Sequence, residues 1–139
     1  MTAPVQKSAA VCETDSQLKR LLVIDDDHSV LFALKRLFES ALVRVDTSDS
    51  LEKAKEFIDS THYNVILTDL AFSEVVKDAG IEISSYAKAK HPKVKVILWT
   101  GSETATLEEQ AKAAEVDMIF KKPLSPIIIK NILENLYFM

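Results

Sequence analysis

Five short apolar runs, each stopped by polar residues, alternate with five stretches whose apolar residues recur at helical spacing. No other feature constrains the fold as much. Arg20 to Ile24 is the first run, halted by Asp25-Asp26-Asp27. A run so short and so apolar suits a strand buried on both faces. Val43 to Val45, Tyr63 to Thr68, Val94 to Trp99 and Val116 to Phe120 are the other four. Between them, Val30, Leu31, Leu34, Leu37 and Phe38 keep a helical period, as do Leu51, Ala54, Phe57 and Ile58. Ile81, Ile83, Tyr86 and Ala87 mark a third helix, stopped by Pro92, and Leu107, Ala111 and Ala114 a fourth. Ile128, Ile129, Ile132, Leu133 and Leu136 fill one arc of a fifth. Asp27 or Ser29 is the expected cap of the first helix, Ser48 or Asp49 of the second and Ser125 of the fifth. Strands and helices alternating over short links need right-handed crossovers, hence a parallel sheet with helices on both faces.

Residues 1–18 stand outside this pattern, being small and polar with Pro4 and no period, and read as a flexible tail before a domain at 19–139. Composition then works by exclusion. Gly80 and Gly101 are the only glycines, so no glycine-rich phosphate loop can be written. Cys12 is the only cysteine, which removes disulfide frameworks and cysteine-based zinc sites. A net charge of -4 argues against direct nucleic-acid binding. No apolar run reaches membrane-spanning length and no secretory signal opens the chain, so a cytoplasmic setting without membrane contact is the expectation.

In open parallel sheets, ligands sit outside the carboxyl ends of the strands. Those ends carry Asp25-Asp26 after the first strand, Asp69 after the third, Thr100 after the fourth and Lys122 after the fifth. Three carboxylates brought together repel, and a hard divalent cation such as Mg²⁺ relieves them. A carboxylate is also a nucleophile toward a phosphoryl group. Such a transfer needs a metal and a cation on the phosphoryl oxygens and little else. Lys122 supplies that cation, Thr100 a hydroxyl donor, and Pro123 marks a candidate cis bond.

The motifs Leu-Val-Ile-Asp25-Asp26, Val-Ile-Leu-Thr-Asp69, Val-Ile-Leu-Trp-Thr100-Gly101 and Lys122-Pro123 follow in the order of a known family. The chain resembles the receiver domain of two-component response regulators from Lys19 to about Phe138. The resemblance implies a flavodoxin-like (βα)5 fold, doubly wound, with a five-stranded parallel sheet in the order 2-1-3-4-5. It implies that Asp69 accepts a phosphoryl group from a phosphohistidine of a sensor histidine kinase, as a signalling module and not a turnover enzyme. Asp26, Asp69 and the backbone carbonyl of Ala71 would ligate Mg²⁺, with Asp25 acting through water. Thr100 and Lys122 would hold the phosphoryl group, and an output protein or domain would read the result.

Three departures from the family stand out. The loop after Asp69 lacks the usual Pro, and Lys77-Asp78-Ala79-Gly80 arrives late, which reads as an insertion beside the acceptor. Ile119 occupies the switch position three residues before Lys122, where the family often has Tyr or Phe, leaving Thr100 as the moving part. No output domain follows the receiver in this sequence. Two other readings compete: a haloacid-dehalogenase-like Mg²⁺-dependent phosphohydrolase, on strand-Asp25-x-Asp27, and a degenerate receiver that works without phosphate.

His28, His62 and His91 read as surface residues, Lys88, Lys90, Lys93 and Lys95 as solvated, and Trp99 as a core aromatic. On the last helix Ile127, Tyr137 and Phe138 fall outside the apolar arc, which suggests a homodimer or partner surface there.

Overall fold

The computed structural model describes residues 18–101 and 105–138. The tail expected at 1–18 therefore lies, but for Leu18, outside the described residues. In chain order the elements are β1 (Lys19–Ile24), α1 (His28–Phe38), β2 (Val43–Ser48), α2 (Leu51–Ser60), β3 (Val65–Thr68), α3 (Ala79–Lys90), β4 (Lys95–Thr100), α4 (Leu107–Ala113), β5 (Met118–Lys121) and α5 (Pro126–Tyr137). The five strands pair in parallel in the order β2-β1-β3-β4-β5, as the resemblance implied. Both faces of this sheet are covered, which is why the central strands are apolar throughout rather than alternating. On one face Leu21, Val23, Leu67 and Ile97 pack under Leu31, Leu34 and Phe38 of α1 and Ile129 and Leu133 of α5. On the other Leu22, Ile24, Ile66 and Val96 pack under Ala54 and Ile58 of α2 and Ile83 and Ala87 of α3. A small third cluster, Leu70, Leu98 and Leu107, lies beneath the short α4.

The first cap is as expected: Asp27 accepts from the Ser29 N–H at 2.9 Å. The second cap is not. Ser50 closes α2 by accepting from the Lys53 N–H at 3.2 Å. Ser48 is spent on the Ser50 carbonyl at 2.9 Å, and Asp49 on the His28 ring at 2.7 Å. Ser125 caps α5, with Pro126 just inside it where a missing N–H costs nothing. β3 and β5 begin two residues later than their apolar runs. Tyr63 turns inward, donating its hydroxyl to Asp46 Oδ2 at 2.5 Å, while Val116 finishes α4 through its N–H to the Ala111 carbonyl.

The last helix corrects the sequence reading. Of its apolar arc only Ile129 and Leu133 are buried, while Ile128 and Leu136 stand exposed. Tyr137 and Phe138, read as outward, pack back onto the α1–α5 core, with the Phe138 ring edge-on to Phe38 at 6.5 Å. A helix lying over a sheet contacts it along a narrow stripe, so a five-residue arc is wider than the contact. Chain folding past the helix end then brings Phe138 back over α1.

Candidate functional site

The carboxyl edge of the sheet gathers the acids from separate loops. The Asp69 N–H donates to the Ile24 carbonyl at 2.9 Å and the Asp25 N–H to the Ser48 carbonyl at 3.1 Å, so the ends of β3, β1 and β2 are laced together. Carboxylate oxygens of Asp25, Asp26 and Asp69 all lie within 4.8 Å of one another. Asp25 is the buried member at 3% exposure. Its Oδ1 accepts from the Asp27 N–H at 2.9 Å and its Oδ2 lies 3.0 Å from Lys122 Nζ. A buried carboxylate needs such a partner, because desolvating an unpaired charge costs several kcal/mol, on the order of the whole stability margin. Lys122 also reaches Asp69 Oδ2 at 3.7 Å. Asp26 is exposed at the mouth of the cleft, and the Ala71 N–H leans on Asp69 Oδ1 at 3.5 Å.

The other expected residues are also here. Thr100 is buried at the end of β4, and its carbonyl accepts the Lys122 N–H at 2.9 Å, which ties the root of the lysine to the threonine. The Lys122–Pro123 bond is cis. Ile119 sits on the outward face of β5, half-exposed, while Phe120 turns in against the core. Three carboxylate oxygens within one small radius, answered by Lys122, form a hard oxygen set with excess negative charge. Such a set fits a small divalent cation such as Mg²⁺ better than a thiophilic metal.

Two residues with a part in the site were missed from the sequence. Trp99 is a core aromatic, as read, but Lys122 Nζ also stands 5.0 Å from its ring centroid. Its indole N–H is buried with no hydrogen-bond partner among the described residues. The signal was present in its place one residue before Thr100. Gly80 is the other. Its N–H donates to the Leu70 carbonyl at 2.9 Å, and a Cβ there would lie 2.6 Å from the Asp69 carbonyl oxygen. The late glycine thus seals the base of the long loop against Asp69. Within that loop Leu70 and Phe72 are buried and Val75 is 93% exposed.

His28, His62, Lys90, Lys93 and Lys95 lie at the surface as read, while His91 and Lys88 are partly buried. His28 pairs with Asp49 and helps hold that carboxyl below its usual range. His62 and His91 stack with ring centroids 3.9 Å apart, and His91 Nε2–H donates to the Ile58 carbonyl at 2.9 Å. Lys88 is nearly buried and bridges to Asp117 at 2.8 Å, as Lys90 does to Asp59. A cavity of about 390 Å³ lined by His62, His91, Lys93 and Tyr137 opens beside the start of β3, away from the carboxyl edge, and among the described residues no carboxylate lines it.

The (βα)5 order with acids at the first and third strand ends, a hydroxyl at the fourth and a lysine at the fifth defines a class of signalling domain. The model of the response regulator receiver domain family matches residues 21–134, and the chain belongs to that family. It is 34% identical over 98 residues to the transcriptional regulatory protein ComA of Bacillus subtilis (strain 168). That match covers 68% of this chain and 44% of ComA, so the chain spans less than half of this relative. It is 25% identical over 119 residues to the response regulator receiver protein CpdR of Brucella abortus (strain 2308), covering 86% of this chain and 97% of CpdR. The crystal structure of a CheY-like response regulator receiver domain protein from Methanospirillum hungatei JF-1 superposes with a TM-score of 0.75 at 25% identity, covering 86% of this chain and 94% of that one. The protein is a receiver domain of the two-component kind, and domains of this family interact with sensor kinases and output domains. Among the described residues no helix is long and apolar enough to cross a membrane.

Proposed function

We propose that this domain takes a phosphoryl group from a sensor-kinase phosphohistidine onto Asp69, and that the phosphorylated form switches a partner surface without turning over substrate. The observation that carries this reading is the convergence of Asp25, Asp26 and Asp69 on one another, with the Lys122 ammonium on Asp25 and Asp69. A carboxylate oxygen of Asp69 attacks phosphorus, the new P–O bond forms, the P–N bond breaks, and the imidazole leaves with the electron pair. Asp26, Asp69 and the Ala71 carbonyl would hold Mg²⁺, with Asp25 through water. When bound, Mg²⁺ supplies positive charge against the phosphoryl oxygens. Lys122 leaves its carboxylate partners for a phosphoryl oxygen, and the Thr100 hydroxyl donates to another. Intact mass after incubation with Mg²⁺ and acetyl phosphate should rise by one phosphoryl group. No rise with a folded protein would overturn the reading. The phosphohydrolase alternative loses its support with the family match, because it has no role for Asp69 at the central strand end.

Mg²⁺ should stabilise the fold by mass action, since it binds the assembled cleft and not the unfolded chain. At ten times its dissociation constant the gain is about 1.4 kcal/mol, a rise of a few degrees in Tm. Asp26→Ala should leave the metal-free Tm unchanged or slightly raised, because it removes a like charge, yet abolish the Mg²⁺ response. Equal Mg²⁺ responses in the two proteins would remove Asp26 from the ligand set.

The signal's exit runs through Thr100. With Ile119 aliphatic and outward, no ring can rotate into the space that Thr100 vacates. Motion of Thr100 would instead draw on α4, a short helix held over a three-residue buried cluster. Hydrogen exchange with and without beryllofluoride, a phosphoryl mimic, should change at residues 105–115 and in α5. Changes confined to 70–78 would point to the long loop as the output. A homodimer through the last helix would use exposed Ile127, Ile128 and Leu136, not the inward Tyr137 and Phe138.

A further inference from the structure

Lys122 has two kinds of partner. Asp25 and Asp69 hold its ammonium by charge, at 3.0 and 3.7 Å. Trp99 holds it by the face of a neutral ring, 5.0 Å from the centroid, inside the roughly 6 Å reach of a cation–π contact. These partners behave differently when a phosphoryl group arrives. A carboxylate competes with phosphoryl oxygens for the cation. A neutral ring does not, and it can keep hold of the lysine while the ammonium turns to its new partner.

The choice of tryptophan is informative. Its N–H is buried without a partner among the described residues, so hydrogen bonding does not explain the residue. Phenylalanine would fill much of the same space without an orphaned donor. What tryptophan adds is the strongest π face for a cation. The Lys122 N–H to Thr100 carbonyl bond fixes the lysine's root beside Trp99, so the contact follows from the strand ends and not from a wandering surface side chain.

We infer that Trp99 is a positioning residue, whose indole face holds the Lys122 ammonium over the acid cleft in both the free and the phosphoryl-loaded states. The inference rests on the reading of Lys122 as a phosphoryl-binding residue.

The test uses the full chain with Mg²⁺ and beryllofluoride, comparing wild type with Trp99→Phe and Trp99→Leu. In the wild type the ε-methylene protons of Lys122 should be shifted upfield by the indole ring current, with and without beryllofluoride. Trp99→Leu should lose that shift and bind beryllofluoride about tenfold more weakly, and Trp99→Phe about threefold more weakly. The Tm of Trp99→Phe should match or exceed that of the wild type, because the orphaned N–H is gone. This separates positioning from packing, and if Trp99→Leu fails to fold, Trp99→Phe carries the test. A wild-type Lys122 without the upfield shift, or folded variants that bind beryllofluoride within twofold of wild type, would overturn the inference. A wild type that binds no beryllofluoride overturns the reading of the cleft itself, and the inference with it.

Discussion

Asp69→Asn is expected to abolish the gain of one phosphoryl group from acetyl phosphate, with the fold retained. Asparagine keeps the shape of the side chain and removes only the charge that makes the oxygen nucleophilic. The ion pair it gives up is a loose one, 3.7 Å from Lys122 Nζ, and Lys122 keeps its shorter bond to Asp25. The backbone bond from the Asp69 N–H to the Ile24 carbonyl, which holds the two strand ends together, does not depend on the side chain. Intact mass and circular dichroism measured on the same sample would check both halves of this expectation. Should the variant take up phosphoryl at the wild-type level, the acceptor is another carboxylate, and Asp25 is the first candidate. Its burial and its bond to Lys122 make it the poorer nucleophile, which is why Asp69 is preferred.

The largest stability effect is expected at Gly80→Ala. A Cβ at this position meets the Asp69 carbonyl oxygen at 2.6 Å, Leu70 Cα at 2.9 Å and Leu98 Cδ2 at 3.0 Å. Two of these are backbone atoms, which cannot swing aside. Overpacking of this kind costs up to about 3 kcal/mol, offset by about 1 kcal/mol of better helix propensity. The net loss of about 2 kcal/mol should lower Tm by roughly 5–10 °C. The displaced atom belongs to Asp69, the proposed acceptor, so phosphorylation should slow as well. Gly101→Ala is the control. Its φ is not positive, and the nearest atom to an added Cβ is Lys122 Cβ at 3.8 Å, so its stability should stay within about 0.5 kcal/mol of wild type. Equal melting temperatures for the two variants would show that the α3 start can shift away from Asp69 without loss.

The order of elements was legible because both periods are local. A run such as Leu-Leu-Val-Ile ending in acids says buried strand and strand end without reference to anything distant. Once five such ends are placed on one parallel sheet, the topology alone brings Asp25, Asp26, Asp69, Thr100 and Lys122 to one edge. The cap of α1 was legible for the same reason, since Asp27 reaches only two residues along the chain. Ser50 was missed because its competitors were diverted: Ser48 turns to the Ser50 carbonyl, and Asp49 is taken by the distant His28 at the start of α1. The stacked pair His62 and His91, and the Lys88–Asp117 bridge, likewise join residues about thirty positions apart.

What the amino-acid sequence determined by itself is therefore the set of groups that stand at the carboxyl edge, and with it the kind of chemistry open to them. Tertiary structure decided how those groups are paired. Asp25 goes inside and takes Lys122, Asp26 stays at the mouth, and Trp99 lies under the ammonium. It also decided that Gly80 is needed for closeness and not for flexibility, and that Phe138 returns to the core while Leu136 does not. The physical reason is range. Periodicity and capping are settled within a few residues, whereas burial and charge pairing depend on which side chains compete for the same space after the chain has closed on itself.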